Sequence, residues 1–300
     1  KKKLEKGMNI LGAHIDSPRM DVKQNPLYES EEFAYLDTHY YGGIKKYQWV
    51  TLPLALHGVV VKKDGTVITV NVGEDKNDPV FCVTDLLIHL AGEQMEKKAN
   101  KVIEGENLDV LVGSKPLEGK EKDAVKEGIL EILKEKYDMT EEDFMSAEIE
   151  VVPAGHAREA GLDHSMVMSY GQDDRVCAYT SLAAMLEIGQ TERTACCILV
   201  DKEEIGSEGN TGMNSDFLKH YLERLAQMQG ADVKDLCQHT LCLSSDVNAA
   251  YDPTFGDVFE ANNSCYINKG CVLTKYTGAR GKSASNDASA ETMAKVIGIM

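Results

Sequence analysis

The chain has 300 residues, 43% of them hydrophobic and 27% charged, with a formal net charge of −17. This is enough apolar material for a large core in one or two domains, and the acidic balance excludes nucleic acid, whose phosphates need a basic stripe. No apolar run approaches the roughly 20 residues of a membrane span, so no membrane partner is expected either. The eight cysteines are scattered without a Cys-x-x-Cys pair, and Cys196 and Cys197 adjoin inside an apolar run. They read as reduced small hydrophobes of a cytoplasmic protein. The chain opens without an initiator Met and stops within an amphipathic pattern, which reads as a piece of a longer protein.

In chain order, residues 8–16 read as a buried strand ending in His14 and Asp16. A Gly-rich loop is expected around Tyr41-Gly42-Gly43. Residues 50–72 read as a hairpin turned by Lys63-Asp64-Gly65. Apolar spacing predicts helices over 80–98 and 124–137, with an exposed, charged excursion over 99–122 between them. A strand follows at 145–155. Beyond Ala154 helix-like and strand-like segments alternate: helix 173–189, strand 194–200, helix 214–230, strand 239–245, strand 270–276 and a Ser- or Asn-capped helix 285–300. That alternation predicts an α/β fold, with a mixed, mostly parallel sheet and helices on both faces. A smaller β-rich region interrupts it. The boundaries are 1–55 with 155–300 for the main domain and 56–154 for the insertion.

Ligand sites of open α/β sheets lie beyond the carboxyl ends of the strands. At those ends stand His14 and Asp16, then Asp173 and Asp174 in Gly-Gln-Asp-Asp-Arg, Glu203 and Glu204 in Asp-Lys-Glu-Glu-Ile-Gly-Ser, and Asp246 in Ser-Ser-Asp-Val-Asn. Each motif alone has an ordinary explanation: a hydrogen-bonded pair, a helix cap with first-turn acids, an exposed acidic loop. Together they gather carboxylates that repel one another unless a cation neutralises them. Histidine with carboxylates and no thiolate suits zinc, cobalt or manganese, with His14 as ligand and Asp16 holding its other ring nitrogen.

With His-Ile-Asp-Ser-Pro, Tyr-Gly-Gly-Ile, Gly-Gln-Asp-Asp-Arg, Asp-Lys-Glu-Glu-Ile-Gly-Ser, Ser-Ser-Asp-Val-Asn-Ala-Ala and Ser-Ala-Ser-Asn-Asp-Ala-Ser-Ala-Glu in this order, the chain resembles the M18 metallo-aminopeptidases. The likeness is to the aspartyl aminopeptidase group and especially its bacterial members, and it covers nearly the whole length. The resemblance implies a zinc-peptidase-like fold whose inserted domain, 56–154, mediates dimerisation, and dimers that assemble into a dodecamer. It implies two divalent metal ions, zinc foremost with cobalt or manganese as substitutes. His14, Asp173, Glu204 and Asp246 would be their ligands, Asp173 bridging both. It makes Glu203 the general base, the Asp173–Asp174 bond a cis peptide, and His89 a donor reaching in from a neighbouring subunit. Lys275 would face the side chain of an acidic substrate residue. The family's last ligand is a histidine far toward the C-terminus, and here none follows His239. The function so implied is release of N-terminal residues from peptides, with Asp or Glu preferred. Two alternatives stand beside it: a related dizinc deacylase or carboxypeptidase, and a non-catalytic assembly protein of the same fold.

Overall fold

The computed structural model describes residues 3–277 and 286–300, so residues 283–285 of the last motif lie outside the described residues. The strands are β1 (Met8–His14), β2 (Arg19–Ser30), β3 (Phe33–Tyr41), β4 (Leu54–Val61), β5 (Val67–Val72), β6 (Val110–Gly113), β7 (Ala147–Pro153), β8 (Arg158–Ala160), β9 (Met166–Met168), β10 (Thr194–Val200) and β11 (Leu241–Ser244). The α-helices are α1 (Gly92–Met95), α2 (Ala124–Tyr137), α3 (Gln172–Glu187), α4 (Phe217–Gln229), α5 (Val233–His239) and α6 (Ala290–Ile297). Two compact units divide the chain, Lys1–Asp246 and Val247–Met300. Among the described residues no helix is long and apolar enough to cross a membrane, and all eight cysteines are unpaired.

The first unit holds a parallel sheet in the order β10-β1-β11 and an antiparallel sheet in the order β5-β4-β7-β2-β3-β6. Beneath the parallel sheet, Met8 and Ile10 pack with Ile198, Leu222, Ala226 and Leu236. α4 contributes because Leu218, Leu222, Leu225 and Ala226 fall on one helical face. Gly7 is obligatory at the entry to β1: its φ is +79°, and a Cβ there would lie 2.0 Å from the His239 carbonyl oxygen. Register fixes what comes next. Gly12 pairs with Ser244 and His14 with Val200, so Asp246, two residues past Ser244, comes level with His14, two past Gly12.

The six-stranded sheet carries the larger core, from Met20 and Leu36 to Val60, Val110 and Val151. α2 closes it with Val125, Ile129, Leu130 and Leu133. Two of its strands, β2 and β3, come from ahead of residue 56. The hairpin expected over 50–72 is present as β4 and β5, closed by Lys62 N–H to Thr66 O at 2.8 Å. Strand β3 runs through Tyr41, so the Gly-rich loop begins only at Gly42. The helix expected over 80–98 does not form. Phe81 and Cys82 bridge to Leu54 and Leu111, and what remains is a 3-10 turn at Ile88–Leu90 and the four-residue α1. Sheet pairing has overridden the helical apolar spacing. The excursion over 99–122 also contributes to the core, with Ile103, Leu108 and Val110 buried.

The second unit is built from short 3-10 turns, the stacked rings of Tyr251 and Tyr266, and α6. Ser289 caps α6 by accepting from the Thr292 N–H. The strand expected at 270–276 is reduced to an isolated bridge, Tyr276 with Asp287.

Candidate metal centre

His14 ends β1 with its ring almost fully buried, 4% exposed. Its Nδ1 lies 3.0 Å from the Asp16 carbonyl oxygen and 3.2 Å from Asp16 Oδ1. Those acceptors place the hydrogen on Nδ1, which turns Nε2 toward the acids. Nε2 is 3.1 Å from Asp173 Oδ1, 3.8 Å from Asp246 Oδ1 and 3.9 Å from Glu203 Oε2. Asp173 and Asp174 open α3 with a cis peptide between them. The Ser17 hydroxyl donates to the Asp173 carbonyl at 2.7 Å. Glu203 and Glu204 occupy the 3-10 turn Glu203–Ile205 just past β10, and Asp246 follows β11.

Asp16 is the knot of this arrangement. Its Oδ1 accepts the Glu203 N–H at 3.1 Å, and its Oδ2 accepts the Glu204 N–H at 3.2 Å and the Tyr41 hydroxyl at 2.7 Å. Asp16 thus holds the imidazole through its backbone carbonyl, with Oδ1 alongside, and the backbone of the acidic turn through its carboxylate. Gly42 lets that turn approach closely: φ is +71°, and a Cβ would sit 3.2 Å from Glu204 Cβ.

Two groups bring one donor atom from each member within 4.8 Å of the others: His14, Asp173 and Glu204, and His14, Asp174 and Asp246. The electrostatics of the protein alone are unfavourable. Burial, reinforced by Asp173, pushes Glu204 up to about 7, and burial with Asp246 raises Glu203. Burial works to lower the His14 pKa, but Asp16, Glu203, Asp174 and Asp246 outweigh it and the net shift is upward. Asp174 is fully buried, and neither of its carboxylate oxygens has a hydrogen-bond partner. Buried, unpartnered carboxylate oxygens beside an imidazole and further acids fit a divalent cation. The donor set of one histidine and oxygens suits zinc among others.

The residues expected from sequence at strand ends, His14, Asp16, Asp173, Glu203, Glu204 and Asp246, are therefore drawn together, although Asp173 and Asp174 stand at the start of α3 and not at a strand end. His89 lies in the exposed turn Ile88–Leu90 and makes none of the contacts above. Lys275 lies in the second unit, exposed, where its carbonyl accepts the Ala288 N–H at 2.8 Å. Sequence reading counted Asp174 among the gathered acids but not among the ligands, and missed Tyr41, Ser17 and Arg19. The signal was present, since Ser17 and Arg19 directly follow His-Ile-Asp and Tyr41 opens the Tyr-Gly-Gly motif.

Comparison with known proteins agrees with this geometry. Residues 1–299 match the family described as Aminopeptidase I zinc metalloprotease (M18). A probable M18 family aminopeptidase 1 from Clostridium acetobutylicum is 59% identical over 99% of this chain and 65% of its own length. Among solved structures, an M18 aminopeptidase from Thermotoga maritima superposes with a TM-score of 0.95 at 49% identity, covering 99% of this chain and 66% of that one. Aminopeptidase I from Clostridium acetobutylicum gives 0.94 at 59% identity, covering 100% and 66%. The chain thus spans about two thirds of the length of these relatives.

Proposed function

We propose, from the premise that this chain belongs to the M18 family of aminopeptidase I zinc metalloproteases, that its protein is a dimetal aminopeptidase releasing N-terminal residues from peptides. The observation that carries the reading is the convergence of donor atoms from His14, Asp173, Glu204, Asp174 and Asp246, within 4.8 Å in each group, at the ends of the parallel strands and the start of α3. In this proposal His14, Asp173, Glu204 and Asp246 would hold the ions. When bound, the ions supply Lewis acidity toward the scissile carbonyl and toward water.

The chain's own residues supply proton transfer and orientation. Glu203 stands 3.9 Å from His14 Nε2 through its Oε2, with a pKa raised by burial and by Asp246. A raised carboxylate pKa suits a base that takes a proton from the attacking water and returns it to the leaving amine. Asp16 fixes the His14 tautomer and the Glu203 backbone at once.

Several finer features belong to the same proposal. Lys275 would select an acidic side chain, and His89 would act from a second copy. The region 56–154 would form the dimer contact within a larger homo-oligomer. Leu86, Leu87, Ile88, Leu90 and Met95, all exposed, offer it an apolar row of the kind interfaces bury. Unpaired cysteines support a cytoplasmic setting.

Two measurements on the full-length protein test the reading. An amino-acid anilide should be cleaved and its N-acetyl form spared; equal cleavage would point to a deacylase. Glu203→Gln should lower turnover by about 100-fold or more while metal content is kept. Loss of the metal instead would show that base and ligand are exchanged.

A further inference from the structure

The parallel sheet and the start of α3 deliver the donor atoms, but what orients them reaches beyond both. Tyr41 is the last residue of β3, in the antiparallel sheet, and is 7% exposed. Its hydroxyl donates to Asp16 Oδ2 at 2.7 Å. Burial and the neighbouring Asp16 push the Tyr41 pKa upward, so the group remains a donor. Directly across the β2–β3 ladder stands Arg19, its register partner. The Arg19 guanidinium, 4% exposed, lies 3.9 Å from the centre of the Tyr41 ring. It is itself tied down at 2.7 Å to Asp21 Oδ1 and at 3.1 Å to Glu150 Oε1, on neighbouring strands where Asp21 pairs with Glu150.

We infer that Tyr41 and Arg19 are positioning residues for the metal centre: the antiparallel sheet fixes Asp16 through them, and Asp16 fixes His14 and the Glu203–Glu204 turn. This rests on the reading of His14 as a metal ligand. The physical case has two parts. Asp16 has one freely rotating donor among its partners, the Tyr41 hydroxyl, and the ring that carries it is clamped by a cation held from two carboxylates. Orientation of a ligand histidine through its second nitrogen governs affinity, and an Asp16 carboxylate free to rock would leave His14 Nδ1 only the backbone carbonyl at 3.0 Å and would loosen the Glu203–Glu204 turn.

The test uses the full chain and zinc alone. Zinc affinity is measured by chelator competition for wild type, Tyr41→Phe, Arg19→Lys and Tyr28→Phe, with visible absorption of the cobalt-loaded proteins and thermal melts alongside. Tyr28→Phe is the control, because its hydroxyl donates to Asp109, just ahead of β6, and not to Asp16. Tyr41→Phe should weaken zinc binding by about 10-fold, at the lower end of the roughly 10–100-fold effects of lost outer partners, and should shift the cobalt spectrum. Arg19→Lys, which keeps charge but not the flat stacked fork, should give a smaller loss in the same direction. Tyr28→Phe should leave both readouts unchanged. Wild-type affinity and spectrum in Tyr41→Phe would overturn the inference, as would equal losses in Tyr28→Phe. Should Tyr41→Phe fail to melt cooperatively, Arg19→Lys decides by the same criteria. A wild-type chain that binds neither zinc nor cobalt would overturn the metal reading and this inference with it.

Discussion

Replacing Asp16 by Asn changes one atom and removes one charge, and the structure says what it costs. Asp16 Oδ1 faces the Glu203 N–H and His14 Nδ1, and Oδ2 faces the Glu204 N–H and the Tyr41 hydroxyl. An amide has only one acceptor oxygen, so one side must take an NH2 group. If that group faces Tyr41, the hydroxyl can rotate to accept, but the Glu204 N–H is left against a donor. If it faces His14, the imidazole keeps the Asp16 carbonyl at 3.0 Å, and the Glu203 N–H is orphaned instead. Either way one backbone donor of the site loses its partner, at about 1–3 kcal/mol. At roughly 2–4 °C per kcal/mol for a domain of about 150–250 residues, the metal-free chain should melt roughly 2–12 °C lower. Zinc affinity should fall as well, because the charge that supports His14 is gone. A thermal melt with and without chelator, plus a competition titration, reads both. An Asp16→Asn chain that melts within about 1 °C of wild type and binds zinc equally would refute the hydrogen-bond reasoning.

Asp174→Asn should raise the melting temperature of metal-free protein, since it removes a buried charge without a hydrogen-bond partner, and should shrink the gain that zinc gives. A uniform loss in both states would contradict this. Gly42→Ala should cost about 1–2 kcal/mol from its left-handed backbone alone and depress turnover through Glu204, read by urea denaturation and anilide hydrolysis; wild-type values in both would remove Gly42 from the site. Lys275→Ala should reduce cleavage of acidic N-terminal residues far more than of neutral ones, and equal effects across a substrate panel would take this lysine out of the pocket.

How much of this was legible in the sequence differs by element. β1, β10 and β11 announce themselves as apolar runs, and the polar residues at their ends stand out because a buried strand gives such groups no partners. The hairpin β4–β5 has its turn residues, and α2 and α4 have clean helical spacing. The segment over 80–98 shows where spacing misleads. Its apolar residues fit a helix, yet Phe81 and Cys82 are taken by bridges to Leu54 and Leu111, contacts made 27 and 29 residues away in sequence. The supporting groups stand beside recognisable motifs, but their contacts were hidden for the same reason. Nothing local links Tyr41 to Asp16 or Arg19 to Glu150; only the pairing of β2 with β3 and β7 makes them neighbours.

Register and charge together decide between a metal centre and an accident of strand ends. Because Gly12 pairs with Ser244 and His14 with Val200, side chains from the last paired residue to four residues past it come together. Apolar or small residues there would close the crevice at no electrostatic cost. What meets instead is an imidazole ringed by acids, with Glu204 raised to about 7 and Asp174 buried without a hydrogen bond. A fold retained as scaffold alone would gain stability by losing those charges. Holding them level, with Asp16 orienting the imidazole by its carbonyl and the turn by its carboxylate, makes physical sense when a cation sits among them.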